Sequence, residues 1–185
     1  LHCRASIIRI FKMQIIGFDH HFDLGLQRTL PLSKEQVWAA LTNPDMLKQW
    51  FYPKPWQVIN CIMDIRPAGE FSLHVQSPTG HEDVLQGCFL EVLKEEKLVW
   101  TRVLSSGYRP TDQSEQQLDV TVIIHLNTVD TGTQISVHTM HGSMKEQQEH
   151  AQLGFDERWS SALDQLTALY QQHEAKHQSV ATQDL

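Results

Sequence analysis

The chain has 185 residues, of which 41% are hydrophobic and 20% charged, and it contains five Trp and seven Phe. These proportions are ordinary for a single globular domain and exclude a chain that is disordered throughout. The formal net charge of −7 argues against nucleic acid or an anionic membrane surface as the main partner. No apolar run reaches the roughly 18 residues of a membrane-spanning helix, so a small molecule or another protein remains as the partner.

Three segments are predicted from composition. Residues 1–12 are basic and do not begin with Met, so we expect residues 1–20 to be a leader that is either disordered or foreign to the natural protein. A targeting peptide is the alternative interpretation of this segment. Residues 21–171 are predicted to form one domain, and residues 172–185, which are poor in apolar side chains, a flexible tail.

The first predicted elements of the domain are one strand and two short helices. Residues 21–30 alternate between polar and apolar side chains, which indicates a strand. Ser33 and Gln36 have the spacing of a capping box and predict the start of a helix. Asn43 and Pro44 end that helix and begin a second one.

After the second helix, the spacing of the apolar residues changes from that of a helix to every second residue, as in a strand. Strands are predicted at residues 57–65, 70–76, 83–94, 97–105, 119–127 and 133–140. Gly, Pro and Asp residues between them favour tight reversals, so the strands should form an antiparallel meander. Apolar side chains such as Leu73, Val122 and Val137 share one face, while Ser72 and Ser136 lie on the other. We therefore expect one covered face and one solvated face.

The last predicted element is one long amphipathic helix. Its apolar positions recur at steps of three and four residues: Ala151, Phe155, Trp159, Ala162, Leu163, Leu166, Leu169 and Tyr170. The element order predicts an α+β helix-grip fold, in which a curved antiparallel sheet and two short helices wrap around the C-terminal helix. Such a sheet leaves a cavity between its concave face and the helices.

Several motifs in this order resemble those of one known superfamily. They are residues 31–44 (PLSKEQVWAALTNP), 49–51 (QWF), 64–71 (DIRPAGEF) and 97–101 (KLVWT). Over residues 22–170 the chain resembles the SRPBCC, or START-like, superfamily, in the branch similar to the C-terminal domain of the activator of the ninety-kilodalton heat-shock protein's ATPase. The resemblance implies the helix-grip fold and a scaffold for apolar ligands. The superfamily also includes polyketide cyclases and co-chaperone domains, so the fold alone does not assign an activity.

This chain departs from the family pattern at two places. The usual double glycine after Arg66 is replaced by Ala68-Gly69, and the usual Gly-Trp at the start of the last helix is replaced by Gly154-Phe155. We expect both places to lie near the mouth of the cavity. Neither departure affects the predicted fold, but both leave the identity of the ligand open.

Twelve side chains are predicted to line or rim the cavity. Most are aromatic or aliphatic and lie at helix ends or on the inward strand face, and two arginines are candidate polar groups: Trp50, Phe51, Trp56, Arg66, Phe71, Leu73, Trp100, Arg102, Val122, Ile124, Phe155 and Trp159. Tyr52 and Trp56 should bracket a loop that acts as a lid. The alternative for each aromatic residue is plain core packing, and for Arg66 an ion pair with Asp64.

No catalytic or metal-binding motif stands out. The pair His138 and His141 has a plausible ligand spacing, but it lies at a strand end without a third ligand, so no metal is predicted. Cys3, Cys61 and Cys88 are an odd number without Cys-x-x-Cys spacing, which indicates neither a disulfide framework nor a thiolate site and fits a reducing cytoplasm. Phosphate loops and nucleotide fingerprints are missing from the sequence, so no cofactor is expected.

Three functions are consistent with the sequence. The favoured one is a non-enzymatic carrier or sensor that binds a small apolar or amphipathic molecule in the cavity. The second is a co-chaperone that stimulates the ATPase of a heat-shock protein. The third is a cyclase or hydrolase that uses the same cavity. Exposed edge strands would also allow a homodimer.

Overall fold

The computed structural model describes residues 17–111 and 118–181, with side chains as far as residue 172. Most of the predicted leader and the end of the predicted tail lie outside these residues. The strands are β1 (Asp23–Leu30), β2 (Gln57–Met63), β3 (Glu70–Gln76), β4 (Glu82–Leu93), β5 (Lys97–Thr101), β6 (Leu104–Ser105), β7 (Arg109–Pro110), β8 (Val120–Val129) and β9 (Gly132–His141). The helices are α1 (Lys34–Thr42), α2 (Pro44–Trp50), α3 (Met144–Gln152) and α4 (Phe155–Ala181).

Seven strands form one antiparallel sheet in the order β1-β9-β8-β5-β4-β3-β2. Strands β6 and β7 form a separate small hairpin. Helices α1 and α2 lie between β1 and β2 along the chain, and α4 follows the sheet. The predicted α+β helix-grip fold is therefore confirmed.

The starts of the two short helices follow the predicted capping chemistry. The Gln36 amide donates to Ser33 Oγ at 3.1 Å, and the Ser33 amide donates to Gln36 Oε1 at 2.8 Å. Asn43 Oδ1 accepts hydrogen bonds from the amides of Asp45 and Met46. These bonds satisfy amides that the first helical turn leaves without partners, so α1 and α2 begin where the sequence predicts.

The core lies between the concave face of the sheet and α4. Leu73, Ile124 and Val137 are buried on the sheet side, and Leu163 and Leu166 are buried on the helix side. Burial of each such side chain stabilises the fold by about 1.5–3 kcal/mol. The inward apolar side chains of the strands thus pack against the apolar face of α4 along one interface.

The predicted long C-terminal helix is present, but it begins at Phe155 rather than at or before Ala151. The chain forms two helices, α3 and α4, separated at Leu153 and Gly154. Gly154 has a φ of +81°, a left-handed conformation that glycine adopts without steric cost. No residue of α3 is buried, so Ala151 belongs to a surface helix rather than to the core stripe. Helix α4 itself continues to Ala181, beyond the predicted domain boundary at residue 171.

The prediction that the second face of the sheet is solvated was wrong at several positions. Ser72, Ser136 and His138 lie on the convex face, yet all three are buried. Phe18 packs against His138 with ring centroids 5.0 Å apart. The Tyr108 backbone hydrogen-bonds the thiol of Cys88, which pairs with Glu70 and so lies on the same face as Ser72. Segments before β1 and after β5 therefore cover parts of this face. The pattern of polar residues along the strands could not predict that this face is partly covered, because the covering segments are irregular.

Candidate functional site

A cavity of about 160 Å³ lies between the concave face of the sheet and the first half of α4. Its wall combines sheet, helix and loop residues, most of them apolar or aromatic: Phe51, Tyr52, Pro53, Leu85, Trp100, Arg102, Leu118, Val120, Val122, Thr139, His150, Phe155, Arg158, Trp159 and Ala162. An apolar enclosure with a few polar groups is typical of a small-molecule site.

The sheet supplies one wall through strand alternation. Val120 and Val122 are two residues apart on β8 and therefore point to the same face. Trp100 of β5 pairs directly with Val122, and Thr139 of β9 also pairs with Val122. Three neighbouring strands thus place their inward side chains around one point, and this makes the floor of the cavity.

The opposite wall comes from α4. Phe155, Trp159 and Ala162 recur at steps of four and three residues, so they lie on one helix face. Phe155 and Ala162 are buried. The small side chain of Ala162 leaves space at this point that a larger residue would fill.

A loop after α2 closes one side of the cavity. The Phe51 ring contacts the Trp159 ring edge to face, with centroids 5.6 Å apart. Gln165 of α4 holds this loop in place: its Nε2 donates to Trp50 O and to Tyr52 O, both at 2.9 Å. Its Oε1 accepts a hydrogen bond from the Lys54 amide at 2.9 Å. One amide side chain therefore satisfies three backbone groups of the loop.

Three of the lining residues, Tyr52, Arg102 and His150, have shifted pKa values. Burial lowers the pKa of Arg102 and raises the pKa of Tyr52. Burial, with neighbouring His141, Arg158 and Arg102, lowers the pKa of His150 to about 4. At neutral pH, Tyr52 and His150 are therefore uncharged, while an arginine side chain stays cationic.

His150 belongs to a short chain of hydrogen bonds. His141 Nδ1 lies 2.8 Å from Phe22 O, and because a carbonyl oxygen only accepts, this nitrogen donates. In a neutral ring, His141 Nε2 is then the acceptor, so His150 Nδ1 donates to it across 2.9 Å. This arrangement leaves His150 Nε2 without a proton. The cavity wall thus contains a neutral imidazole that is able to accept a proton or a hydrogen bond.

Replacement of His150 by Gln should make the free energy of unfolding depend less on pH in the acidic range. The ring takes up a proton near pH 6.5 when unfolded but only near pH 4 when folded. The unfolded state binds more protons between these values, so the wild-type free energy of unfolding should fall as the pH drops from about 6.5 to about 4. His150 contributes at most about 1.4 kcal/mol per pH unit, and less because the ring is partly exposed.

Urea unfolding of the wild type and His150→Gln across this pH range measures the difference in slope. The exposed His81→Gln variant controls for the substitution itself. Parallel curves for the wild type and His150→Gln would contradict the assignment.

The structure brings six of the twelve predicted residues together at the cavity. These are Phe51, Trp100, Arg102, Val122, Phe155 and Trp159. Tyr52, which was expected in the lid loop, also lines it.

The other six predicted residues lie elsewhere. Phe71, Leu73 and Ile124 are buried in the core, and so is Trp50, whose Nε1 donates to Ala40 O at 3.1 Å. Trp56 is partly buried beside Tyr52, with ring centroids 6.1 Å apart. Arg66 is exposed and forms an ion pair with Asp64 at 2.8 Å, which was the alternative interpretation of this residue.

Sequence reasoning missed several lining residues. Val120 and Thr139 were identifiable in principle, because they share strand parity with Val122 and Val137. His150 and Arg158 gave no usable signal. Their approach to the cavity depends on the break between α3 and α4, which was not predicted.

The described residues contain neither a candidate metal cluster nor a candidate membrane-spanning helix. No three His, Cys, Asp or Glu side chains there group closely enough to hold a metal ion. His138 Nε2 instead lies 2.9 Å from Asp23 Oδ2, in a pair that is buried on both sides. Within residues 17–111 and 118–181, no helix has the length and apolar composition needed to cross a bilayer.

Comparison with known proteins gives one family match. The profile of the Activator of Hsp90 ATPase homolog 1-like protein family matches residues 31–171. This range begins just after β1 and contains all the described residues that line the cavity. No protein of curated function matches the chain.

Solved structures of the same architecture are numerous. A protein from Nitrosomonas europaea is 38% identical, with a TM-score of 0.81 over 85% of this chain and 99% of its own. A protein from Rhodobacter sphaeroides is 19% identical, with a TM-score of 0.72 over 83% of this chain and 95% of its own. One from Mycobacterium smegmatis is 18% identical, with a TM-score of 0.68 over 83% and 93%. The last two are similar in fold alone.

Proposed function

This chain belongs to the Activator of Hsp90 ATPase homolog 1-like protein family, and we propose that it binds a small apolar or amphipathic molecule in the cavity, as a carrier or sensor. The observation that supports this proposal is the cavity itself, whose wall is formed mainly by Trp, Phe, Leu and Val side chains. Displacement of water from such a wall favours binding by about 25 cal/mol per Å² of apolar surface.

The size of the cavity limits the ligand. An apolar cavity of about 150 Å³ accommodates a body of the size of benzene. The cavity of this protein has a similar volume, about 160 Å³. The proposed ligand is therefore a single ring or a short branched chain, with any larger part extending through the mouth beside Tyr52 and Arg158.

Native mass spectrometry of the purified protein, compared with the denatured protein, tests this function. We expect a small molecule that is retained under native conditions and released on denaturation. Ala162→Leu, which adds volume inside the cavity, should abolish retention, whereas Ala151→Leu on exposed α3 should not. An empty wild-type protein that also fails to bind added small aromatic compounds would contradict the proposal.

Stimulation of a heat-shock protein's ATPase is a second candidate, and the family match is the observation that favours it. Addition of the purified protein to such a chaperone should then raise its rate of ATP hydrolysis. Ala162→Leu should retain this stimulation if the chaperone binds an outer surface. A chaperone rate that does not change at saturating protein would exclude this function.

Cyclase or hydrolase chemistry is a third candidate, favoured by His150. This residue lines the cavity as a neutral imidazole, and a general base requires a side chain in that form. Turnover of an aromatic ester or a polyketide-like substrate, lost in His150→Gln and retained in His81→Gln, would support it. We favour the carrier or sensor because, among the described lining residues, no nucleophile lies paired with this base.

A further inference from the structure

The cavity concentrates positive charge in an acidic protein. The chain has a formal net charge of −7, yet two of the described lining residues, Arg102 and Arg158, are arginines and none is Asp or Glu. Tyr52 and His150 are uncharged at neutral pH for the reasons given above. The permanent charges on the described part of the cavity wall are therefore both positive.

The two guanidinium groups come from opposite sides of the cavity. Arg102 directly follows β5 in the sheet, and Arg158 lies on the first turns of α4. Both act on the same two rings. Each arginine offsets part of the rise that burial causes in the pKa of Tyr52, and each adds to the fall that burial causes in the pKa of His150. Arg158 Cζ also lies 5.9 Å from the centroid of the Tyr52 ring. The two cations therefore lie around one part of the cavity.

A buried hydroxyl group adds an independent observation. Thr139 is 1% exposed and lines the cavity. Its Oγ1 has no hydrogen-bond partner among the residues that the structure describes. A buried hydroxyl group without a partner is costly, and a ligand oxygen that accepts a hydrogen bond from it would remove this cost. An entirely apolar ligand would not.

Two carboxylates lie near Arg102 but are not among the described residues that line the cavity. Asp83 and Asp119 both favour its charged form, but neither is among the described lining residues. Among the described lining residues, the charged groups that face an anion in the cavity are therefore Arg102 and Arg158. Arginine is well suited to this role, because its planar fork of donors matches the two oxygens of a carboxylate.

We propose that the ligand is a small aromatic carboxylic acid, whose ring lies between Trp100 and Trp159 and whose carboxylate is bound by Arg102 and Arg158. This inference rests on the proposed binding function and adds the chemical class of the ligand. The apolar wall and the volume of about 160 Å³ suit a single ring. The paired arginines and Thr139 Oγ1 suit the carboxylate.

Phenylacetate and its neutral counterpart phenylacetamide test the inference, because they differ in charge and share the ring. Binding is measured by calorimetry and by quenching of tryptophan fluorescence, since Trp100 and Trp159 both line the cavity. We expect phenylacetate to bind at least about ten-fold more tightly than phenylacetamide, as charge-assisted hydrogen bonds predict.

Arginine variants locate the effect. Arg158 is exposed at the mouth, so Arg158→Gln should fold normally; it should weaken phenylacetate binding far more than phenylacetamide binding and so remove most of the preference for the acid. Arg102 is partly buried, so Arg102→Lys is used there. This variant keeps the charge but loses the planar fork of donors, and it should weaken phenylacetate binding more than phenylacetamide binding. Arg66→Gln, at an exposed ion pair away from the cavity, is the matched control.

The outcomes separate this inference from the proposed function. Equal affinity for the acid and the amide would overturn the inference and leave the binding function standing. A preference for the acid that survives Arg158→Gln and Arg102→Lys would also overturn the inference. Failure of both compounds to bind the wild-type protein would overturn the inference and the proposed function together.

Discussion

Trp50→Ala should lower the free energy of unfolding by about 3–5 kcal/mol, as expected for removal of a fully buried aromatic side chain. Trp50 is 0% exposed, and its indole Nε1–H donates to Ala40 O at 3.1 Å. Truncation leaves a large void and also removes the donor from a buried carbonyl oxygen, which adds to the cost. Urea unfolding, followed by circular dichroism, measures this loss.

The same residue supports the cavity from behind. The Trp50 ring contacts the Phe51 ring edge to face with centroids 5.6 Å apart, and Phe51 in turn contacts Trp159. Trp50→Phe keeps an aromatic body but loses the hydrogen bond to Ala40, so its expected cost is smaller, about 1–2 kcal/mol. Trp38→Ala, at a partly buried position of α1, is a matched control and should cost less than Trp50→Ala. A loss below about 1 kcal/mol for Trp50→Ala would show that this ring does not support the fold.

The fold was predictable because its signals are local and redundant. Ser33 and Gln36 have the spacing of a capping box, and both of its hydrogen bonds are present. Alternation along β3, β8 and β9 identified the inward side chains, because residues two apart on a strand share a face. Each of these rules applies within a few residues, so one sequence is enough to use it.

The cavity was predictable only in part, because strand parity gives the face of a residue but not its depth under the helix. Val122 and Ile124 are two residues apart on β8 and share a face, yet Val122 lines the cavity while Ile124 is buried in the core. Trp50 likewise lies next to Phe51, but only Phe51 reaches the cavity. Whether a residue lines the cavity or lies in the core depends on where α4 crosses the strands. The position of α4 is a property of the whole fold.

The polar part of the cavity was the least predictable. Ala151 and Phe155 have the four-residue spacing of one continuous helix, so the pattern concealed the break at Gly154. Because of this break, α3 is a separate helix, and its residue His150 contacts His141 and lines the cavity. The position of His150 in the site therefore depends on a turn whose sequence signal is a single glycine.

Gln165→Glu should lower the free energy of unfolding by about 2–4 kcal/mol and should open the loop over the cavity. The Gln165 side-chain amide donates to Trp50 O and Tyr52 O, and a carboxylate cannot donate to either. The substitution therefore removes two hydrogen bonds and places a negative charge beside two carbonyl oxygens that were 2.9 Å from the amide nitrogen. Gln171→Glu introduces the same charge at an exposed position of α4 and should cost less than about 0.5 kcal/mol.

The rate of hydrogen exchange at the Lys54 amide distinguishes opening of the loop from a loss of stability of the whole fold. This amide donates to Gln165 Oε1, an acceptor that Glu retains and Met does not. Gln165→Met should therefore expose the Lys54 amide to exchange with a smaller loss of global stability than Gln165→Glu. Because Phe51, Tyr52 and Pro53 form one side of the cavity, both variants should also weaken ligand binding. Unchanged Lys54 exchange and unchanged binding in Gln165→Met would mean that other contacts hold the loop closed.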